Sequence, residues 1–219
     1  MENSLYTHGL YLCQKRFERF DAAKSVFNKV IGDQPWNSIN KDIDKYKTSW
    51  KAVTFRLNGK NDEKLIEQFP MIREVFDYFK CSISTVAYYR AEPGLRLHSH
   101  IDMSGHLGFN RLRFHIPVKT NPKAVTIMGS GAGHPFHLAE GEMWALDTSH
   151  LHAVENNGAE ERVPLMVEVE VNDWIWKMLP KRNAKYYIHM TKFFVVHIPR
   201  AILRRRLAKF GFVKNIGYE

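Results

Sequence analysis

The sequence predicts an α+β fold that is mainly β, a sandwich or barrel of short strands preceded by helices and followed by a basic helical tail. Three observations carry this reading. Through about residue 80 most apolar residues recur at helical spacing, on either side of one strand. From residue 83 they alternate in short runs cut by Asn, Gly, Pro and Asp. After residue 176 the positive charge of the chain collects in one place.

Taken in order, Phe17, Phe20, Phe27 and Val30 lie near 3.6-residue spacing and predict a helix that Gly32 ends. "WKAVTFRL" alternates Val53, Phe55 and Leu57, as a strand with one buried face does. Asn61 or Asp62 is placed to cap a helical region carrying Leu65, Ile66, Phe69, Ile72, Phe76 and Phe79, which Pro70 kinks or restarts. Strands follow in "STVAYYRAEPG", "RLRFHIPVKT", "AVTIM", "MWALD", "LHAVEN" and "RVPLMVEVEV". In the second of these Leu112, Phe114, Ile116 and Val118 share a face, which puts Arg113 and His115 together on the other. In the last, Val163, Leu165, Val167 and Val169 separate in the same way from Arg162, Pro164 and Met166. A β core with polar groups on its inner face and helices outside accommodates both patterns.

Composition narrows the functional classes. With 44% hydrophobic and 25% charged residues over 219, the chain reads as one ordinary globular domain. It has no apolar run of membrane-spanning length and its start lacks the features of a signal peptide, which predicts a cytoplasmic protein. Cys13 and Cys81 lack C-x-x-C spacing, so metal chemistry must use nitrogen and oxygen ligands. The net charge of +9 is local: residues 177–219 hold eleven basic residues against the single acid Glu219, while the rest is close to neutral.

The stretch "LRLHSHIDMS" places His98, His100 and Asp102 on one side of an extended segment, where two neighbours can chelate one ion. A third ligand is available in "LDTSHLHAVEN", from His150 or His152. Two imidazoles and one carboxylate leave open positions on an octahedral ion, an arrangement suited to non-haem Fe(II). An isolated H-x-D is more often a turn or surface feature, and Arg113 or His115 singly is as well explained by an ion pair with Asp147 or Glu168. The constellation carries the hypothesis: Arg162, ten positions after His152, is placed to hold a carboxylate across the barrel.

The segments "EPGLRLHSHID", "RLRFHIPVKTN", "AEGEMWALDTSHLHAVEN" and "ERVPLMVEV" resemble the aspartyl/asparaginyl β-hydroxylase family of Fe(II)/2-oxoglutarate-dependent dioxygenases, from about Trp50 to Asp173. The resemblance implies a double-stranded β-helix, or jelly-roll (cupin-like), core and an activity that uses Fe(II), 2-oxoglutarate and O2. It selects His100, Asp102 and His152 as metal ligands, leaving His98 and His150 as neighbours. It further implies that Arg162 binds the distal carboxylate of 2-oxoglutarate and that Arg113 and His115 contact the cosubstrate. Where some relatives have a serine near the cosubstrate, this chain has Tyr89.

The expected organisation is a dioxygenase domain over residues 1–176, with its β core about 50–173, and a basic extension over 177–219. Pro199 is placed to open a helix with an apolar stripe of Ile202, Leu203, Leu207 and Phe210, opposite Arg200, Arg204, Arg205 and Lys209 and stopped by Gly211. Such a helix docks on its own domain or meets an anionic membrane or an acidic partner. Nucleic acid is disfavoured, since only charge points to it. Arg111, His106 and Trp144 lie near the expected mouth of the site, with a solvated loop and a core Trp as the plainer readings. The expected activity is hydroxylation of an unactivated carbon, on an amino-acid side chain that is free, carrier-bound or in a peptide. The rivals are an acyl-chain hydroxylase of the same family, a metal-binding sensor with a cupin-like barrel, and an inert basic interaction module.

Overall fold

The computed structural model describes residues 5–33, 36–38, 50–102, 105–129 and 133–209. Two antiparallel sheets form its centre. The larger runs in the order β1 (Leu10–Gln14), β10 (Met143–Leu146), β7 (Arg111–Lys119), β12 (Val163–Glu170), β5 (Ile83–Ala91), β3 (Trp50–Leu57) and β2 (Asn37–Ser38), with β4 (Lys60–Asn61) paired to β3. The smaller runs β6 (Arg96–His100), β11 (His152–Asn156), β8 (Ala124–Met128) and β9 (His134–Phe136). These are the two sheets of a double-stranded β-helix, as expected, with helices flanking the larger one.

Alternation decides which face of the large sheet meets the helices. Leu112, Phe114, Ile116 and Val118 of β7 and Val163, Leu165, Val167 and Val169 of β12 enter one core cluster with Phe27, Ile66, Ile72, Val75 and Ile175 from the helices. Tyr88 lies at its centre, with its hydroxyl donating to the Ala23 carbonyl at 2.7 Å, so its one polar atom is satisfied. The opposite parity of β7 and β12 is polar: Arg113 pairs in register with Glu168, and His115 with Met166.

The helical elements form where the sequence expects them, with shifted ends. The first long helix, α2, spans Phe20–Asp33; Phe17 lies before it and Gly32 falls inside its last turn. Asp62 caps α3 (Glu63–Gln68) by accepting from the Leu65 N–H at 3.0 Å, and Pro70 separates it from α4 (Ile72–Tyr78), restarting the helix. Leu57 is 57% exposed, because β3 ends there in a turn beyond the cover of the helices. The sequence reading missed α1 (Leu5–His8) and β1, which pairs with β10 at the sheet edge.

The C-terminal helix also begins earlier than expected. After α5 (Asp173–Met178), α6 (Ala184–Lys192) runs through a π-helical turn, Phe193–His197, into α7 (Ile198–Lys209), with Pro199 in the first turn of α7. Tyr186, Met190, Phe193 and Ala201 face the domain; Tyr186 packs edge-on against Tyr6, and Phe193 against His106. The expected buried stripe is corrected: Ile202 and Leu203 are 50% and 56% exposed, because Phe193 and Ala201 take the inner side. Phe210 and Gly211 lie outside the described residues. Among the described residues, no helix is long and apolar enough to cross a membrane.

Candidate metal centre

His100 and His152 are brought together by strand pairing. β6 and β11 run antiparallel with His152 directly opposite His100, and the imidazole centroids are 4.3 Å apart. Each ring is oriented in the same way by its own strand: Nδ1 of His100 lies 2.7 Å from the His98 carbonyl, and Nδ1 of His152 lies 2.9 Å from the His150 carbonyl. A carbonyl only accepts, so Nδ1 carries a proton in both, and Nε2 is the atom left for a metal. His98, exposed on β6, contributes its backbone alone.

Asp102 lies two residues past the end of β6, tied by its N–H to the Thr148 carbonyl at 3.1 Å. Its Oδ1 is 3.4 Å from Nε2 of His100. One ligand atom from each of His100, Asp102 and His152 falls within 4.8 Å of the others. Two imidazoles and one carboxylate are the donor set that suits a non-haem Fe(II) with open positions, so the residues present fit that ion.

A charge network surrounds the carboxylate. Nη1 of Arg113 donates to Asp102 Oδ2, and its Nε donates to Glu168 Oε2 at 2.9 Å. Arg111 donates to Glu168 Oε1 at 3.1 Å. Burial alone would raise the Asp102 carboxyl, but in the metal-free protein the hydrogen bond from Nε2 of a doubly protonated His100 and the Arg113 charge outweigh it and hold the group at about 2. Burial would likewise lower His100, yet its bond to Asp102 raises it. Burial and the neighbouring His100 push His152 down to about 4.

Arg162 is the second cationic group. It sits at 2% exposure, held by mutual backbone bonds with Ala91, and its Nη2 donates to Thr126 Oγ1 at 2.9 Å. Burial alone draws it down to about 10, and among the described residues no carboxylate forms an ion pair with it. An uncountered buried guanidinium is costly, and it leaves donors available to a bidentate anion. Thr126 is two residues along β8 from Met128, which faces His152, so the two positions are separated by about 7 Å of strand. His115 lies between these charges, pushed down to about 3 by burial and by Arg162.

The structure therefore brings His100, Asp102 and His152 together, with Arg113 against Asp102 and His115 near Arg162. The guanidinium of Arg113 is engaged by two carboxylates, the ion pair with Glu168 that sequence reasoning weighed among them. Tyr89 is close to Arg113, Glu168 and Asp102, whose charges act on its hydroxyl. Trp144 is a core residue packed with Leu10, Met128 and Leu138, and His106 is buried against Phe193. Two residues of this region went unnoticed in the sequence. Thr126 carried no signal beyond its strand, and Gly105 is marked only by its φ of +75°, in a place where a Cβ would stand 2.5 Å from Arg113 Nε.

The family model of the aspartyl/asparaginyl β-hydroxylases matches residues 21–171. No curated protein matches the chain. Among solved structures, AviO1 from Streptomyces viridochromogenes Tue57 is similar at 13% identity and a TM-score of 0.52, covering 82% of this chain and 95% of its own. A 2OG-Fe(II) oxygenase family oxidoreductase from Burkholderia pseudomallei is similar at 14% identity and a TM-score of 0.50, covering 77% and 87%. At such identities the likeness concerns the fold. With the family model spanning most of the β core and the donor set in place, the chain belongs to the aspartyl/asparaginyl β-hydroxylase family of 2-oxoglutarate/Fe(II)-dependent oxygenases.

Proposed function

We propose that this protein hydroxylates an unactivated carbon, using Fe(II), 2-oxoglutarate and O2 and releasing succinate and CO2. The substrate is an amino-acid side chain, free, carrier-bound or in a peptide. One observation carries the reading: a buried guanidinium that pairs with no carboxylate among the described residues, Arg162, stands about two residue steps along the sheet from a cluster of two imidazoles and an acid. That separation suits a five-carbon diacid anchored at both ends.

Within this reading His100, Asp102 and His152 hold the iron, and Arg162 binds and orients the distal carboxylate of the cosubstrate. Arg113 fixes Asp102 so that its second oxygen stays aimed at the centre, while burial and Arg162 keep His115 neutral. When bound, iron supplies the activation of dioxygen that attack on a C–H bond requires. The protein supplies position and exclusion of water, to which the fully buried Met128, opposite His152, contributes.

The test is direct. Adding 2-oxoglutarate to the Fe(II)-loaded protein without oxygen should produce a weak visible absorption band, and a screen of amino acids, peptides and acyl lipids should then identify the compound that drives succinate release. A folded, iron-loaded protein that shows neither band nor 2-oxoglutarate binding would remove the reading.

A second reading, an acyl chain carried by a lipid, is favoured by the surface of the C-terminal helix. Tyr187, Ile188, Phe194, Val195, Ile202 and Leu203 are all exposed there. Lys181, Lys185, Lys192 and Arg200 are exposed beside them, and residues 177–218 contain no acid. Apolar groups flanked by cations suit an anionic lipid surface. Sedimentation with vesicles containing phosphatidylglycerol should retain the full chain and lose an Ile188→Glu/Ile202→Glu variant; equal retention of both removes this reading.

A further inference from the structure

A second cluster of ligand-type side chains lies outside the centre described above. Asp147, His150 and His189 each bring one ligand atom within 4.8 Å of the others. Two of them come from the turn between β10 and β11, the third from α6. The His150 and His189 rings stack 3.6 Å apart at an interplanar angle of 7°. Asp147, at 1% exposure, accepts through Oδ1 from the Ser149 N–H at 3.2 Å and from its hydroxyl at 2.7 Å. Having given its one proton to Asp147, Ser149 Oγ accepts from His189 Nε2 at 2.8 Å.

His150 is the member that this hydrogen bonding does not explain. Its Nε2 is buried and has no hydrogen-bond partner among the described residues, a condition that costs on the order of 1–3 kcal/mol. The ring is also held in place. Gly9, at a φ of +78°, passes so close that a Cβ there would stand 2.7 Å from His150 Cγ. A side chain kept beside a carboxylate and a second imidazole, with its nitrogen unused, is a metal ligand in waiting.

We infer that Asp147, His150 and His189 form a second divalent-cation site, of the zinc class, with water in the fourth position. Ligand atoms about 2 Å from a common ion lie within about 4 Å of one another, and an ion binds in the plane of each imidazole, so closing the cluster requires the His189 ring to turn out of its parallel stack on His150. His189 binds through Nε2 once its proton moves to Nδ1, and the bond from Ser149 keeps Asp147 oriented. Both imidazoles are half-buried, which leaves an approach from solvent. The ion ties α6 to the turn whose His150 carbonyl meets Nδ1 of His152 at 2.9 Å, and so connects the C-terminal helix to the first centre.

Zinc binding to the full-length, metal-free chain tests this, counted by native mass spectrometry and titration. In a His100→Ala/His152→Ala variant, which removes the first centre, one Zn(II) per chain should still bind. Adding His189→Gln, which can still bond to Ser149, should weaken that binding about 100-fold. No zinc in the first variant, or binding unchanged by His189→Gln, would overturn the inference. If the double variant loses cooperative unfolding, the same count on the otherwise unaltered chain decides: two ions falling to one with His189→Gln supports the site, and an unchanged count refutes it.

Discussion

Arg113 and Asp102 are joined by a direct ion pair, and the same guanidinium is held from its other side by Glu168 at 2.9 Å. Asp102 is therefore aimed by a residue on a different strand, eleven positions later in the chain. Replacing Arg113 with Met should lower Fe(II) affinity by about 10- to 100-fold, the usual effect of losing a group that orients a ligand. It should also destabilise the fold by about 3–5 kcal/mol, since buried Asp102 loses its guanidinium and Glu168 keeps only Arg111. Anaerobic Fe(II) titration and urea unfolding measure the two effects. A raised requirement for 2-oxoglutarate with unchanged iron affinity would instead make Arg113 a cosubstrate contact.

Arg162→Met should have opposite effects on binding and stability. Losing a charge-assisted pair with the distal carboxylate should raise the Kd for 2-oxoglutarate by about 10- to 100-fold, with Fe(II) affinity unchanged. The metal-free protein should become more stable, because the cost of burying a guanidinium whose side-chain partner among the described residues is Thr126 disappears. Calorimetric titration with 2-oxoglutarate and a thermal unfolding curve together check this; a less stable variant would mean that Arg162 has a structural role.

Gly105→Ala should disturb the site without touching a ligand. The residue has a φ of +75°, and its Cβ would stand 2.5 Å from Arg113 Nε and 2.6 Å from Glu168 Oε2. Strain and displacement of that pair should cost on the order of 1–3 kcal/mol, read as a lower urea midpoint, and weaken Fe(II) binding in parallel. Gly59→Ala offers a control at a similar φ of +79°, where nothing lies within 4 Å of the added carbon.

Acid should destabilise the metal-free protein from about pH 6.5 downward. His115, His150 and His152 are pushed by burial from 6.5 to about 3, 3 and 4. Between those values the unfolded chain binds more protons than the native one, so stability falls with pH, by at most about 1.4 kcal/mol per unit for each group. Asp102, lowered from 3.8 to about 2, adds stability that is lost only below that range. His100 is raised and acts the other way, contributing below 6.5 and less as the pH rises through its folded value. His189, lowered to about 4, and His8, His106 and His197, lowered as well, act in the same direction, so the lowered imidazoles outweigh His100 and urea midpoints at pH 7.5, 6 and 5 should decrease in that order; a flat series would contradict the burial of these imidazoles.

The sequence by itself determined what depends on neighbours along the chain. Alternation put Arg113 and His115 on one face of β7, a period-2 consequence of the pleat, and the same rule separated Val163, Leu165, Val167 and Val169 from the inner face of β12. Asp62 and Pro70 marked helix ends because capping and the missing proline N–H act within one turn. Tertiary structure alone decided which distant groups meet. That Thr126 would receive Arg162, that β1 would join the edge at β10, and that α6 would carry His189 to Asp147 follow from strand order and helix docking. Contacts between residues from 36 to 136 positions apart leave no periodic trace, because they are fixed by the burial of whole faces and not by any local backbone preference.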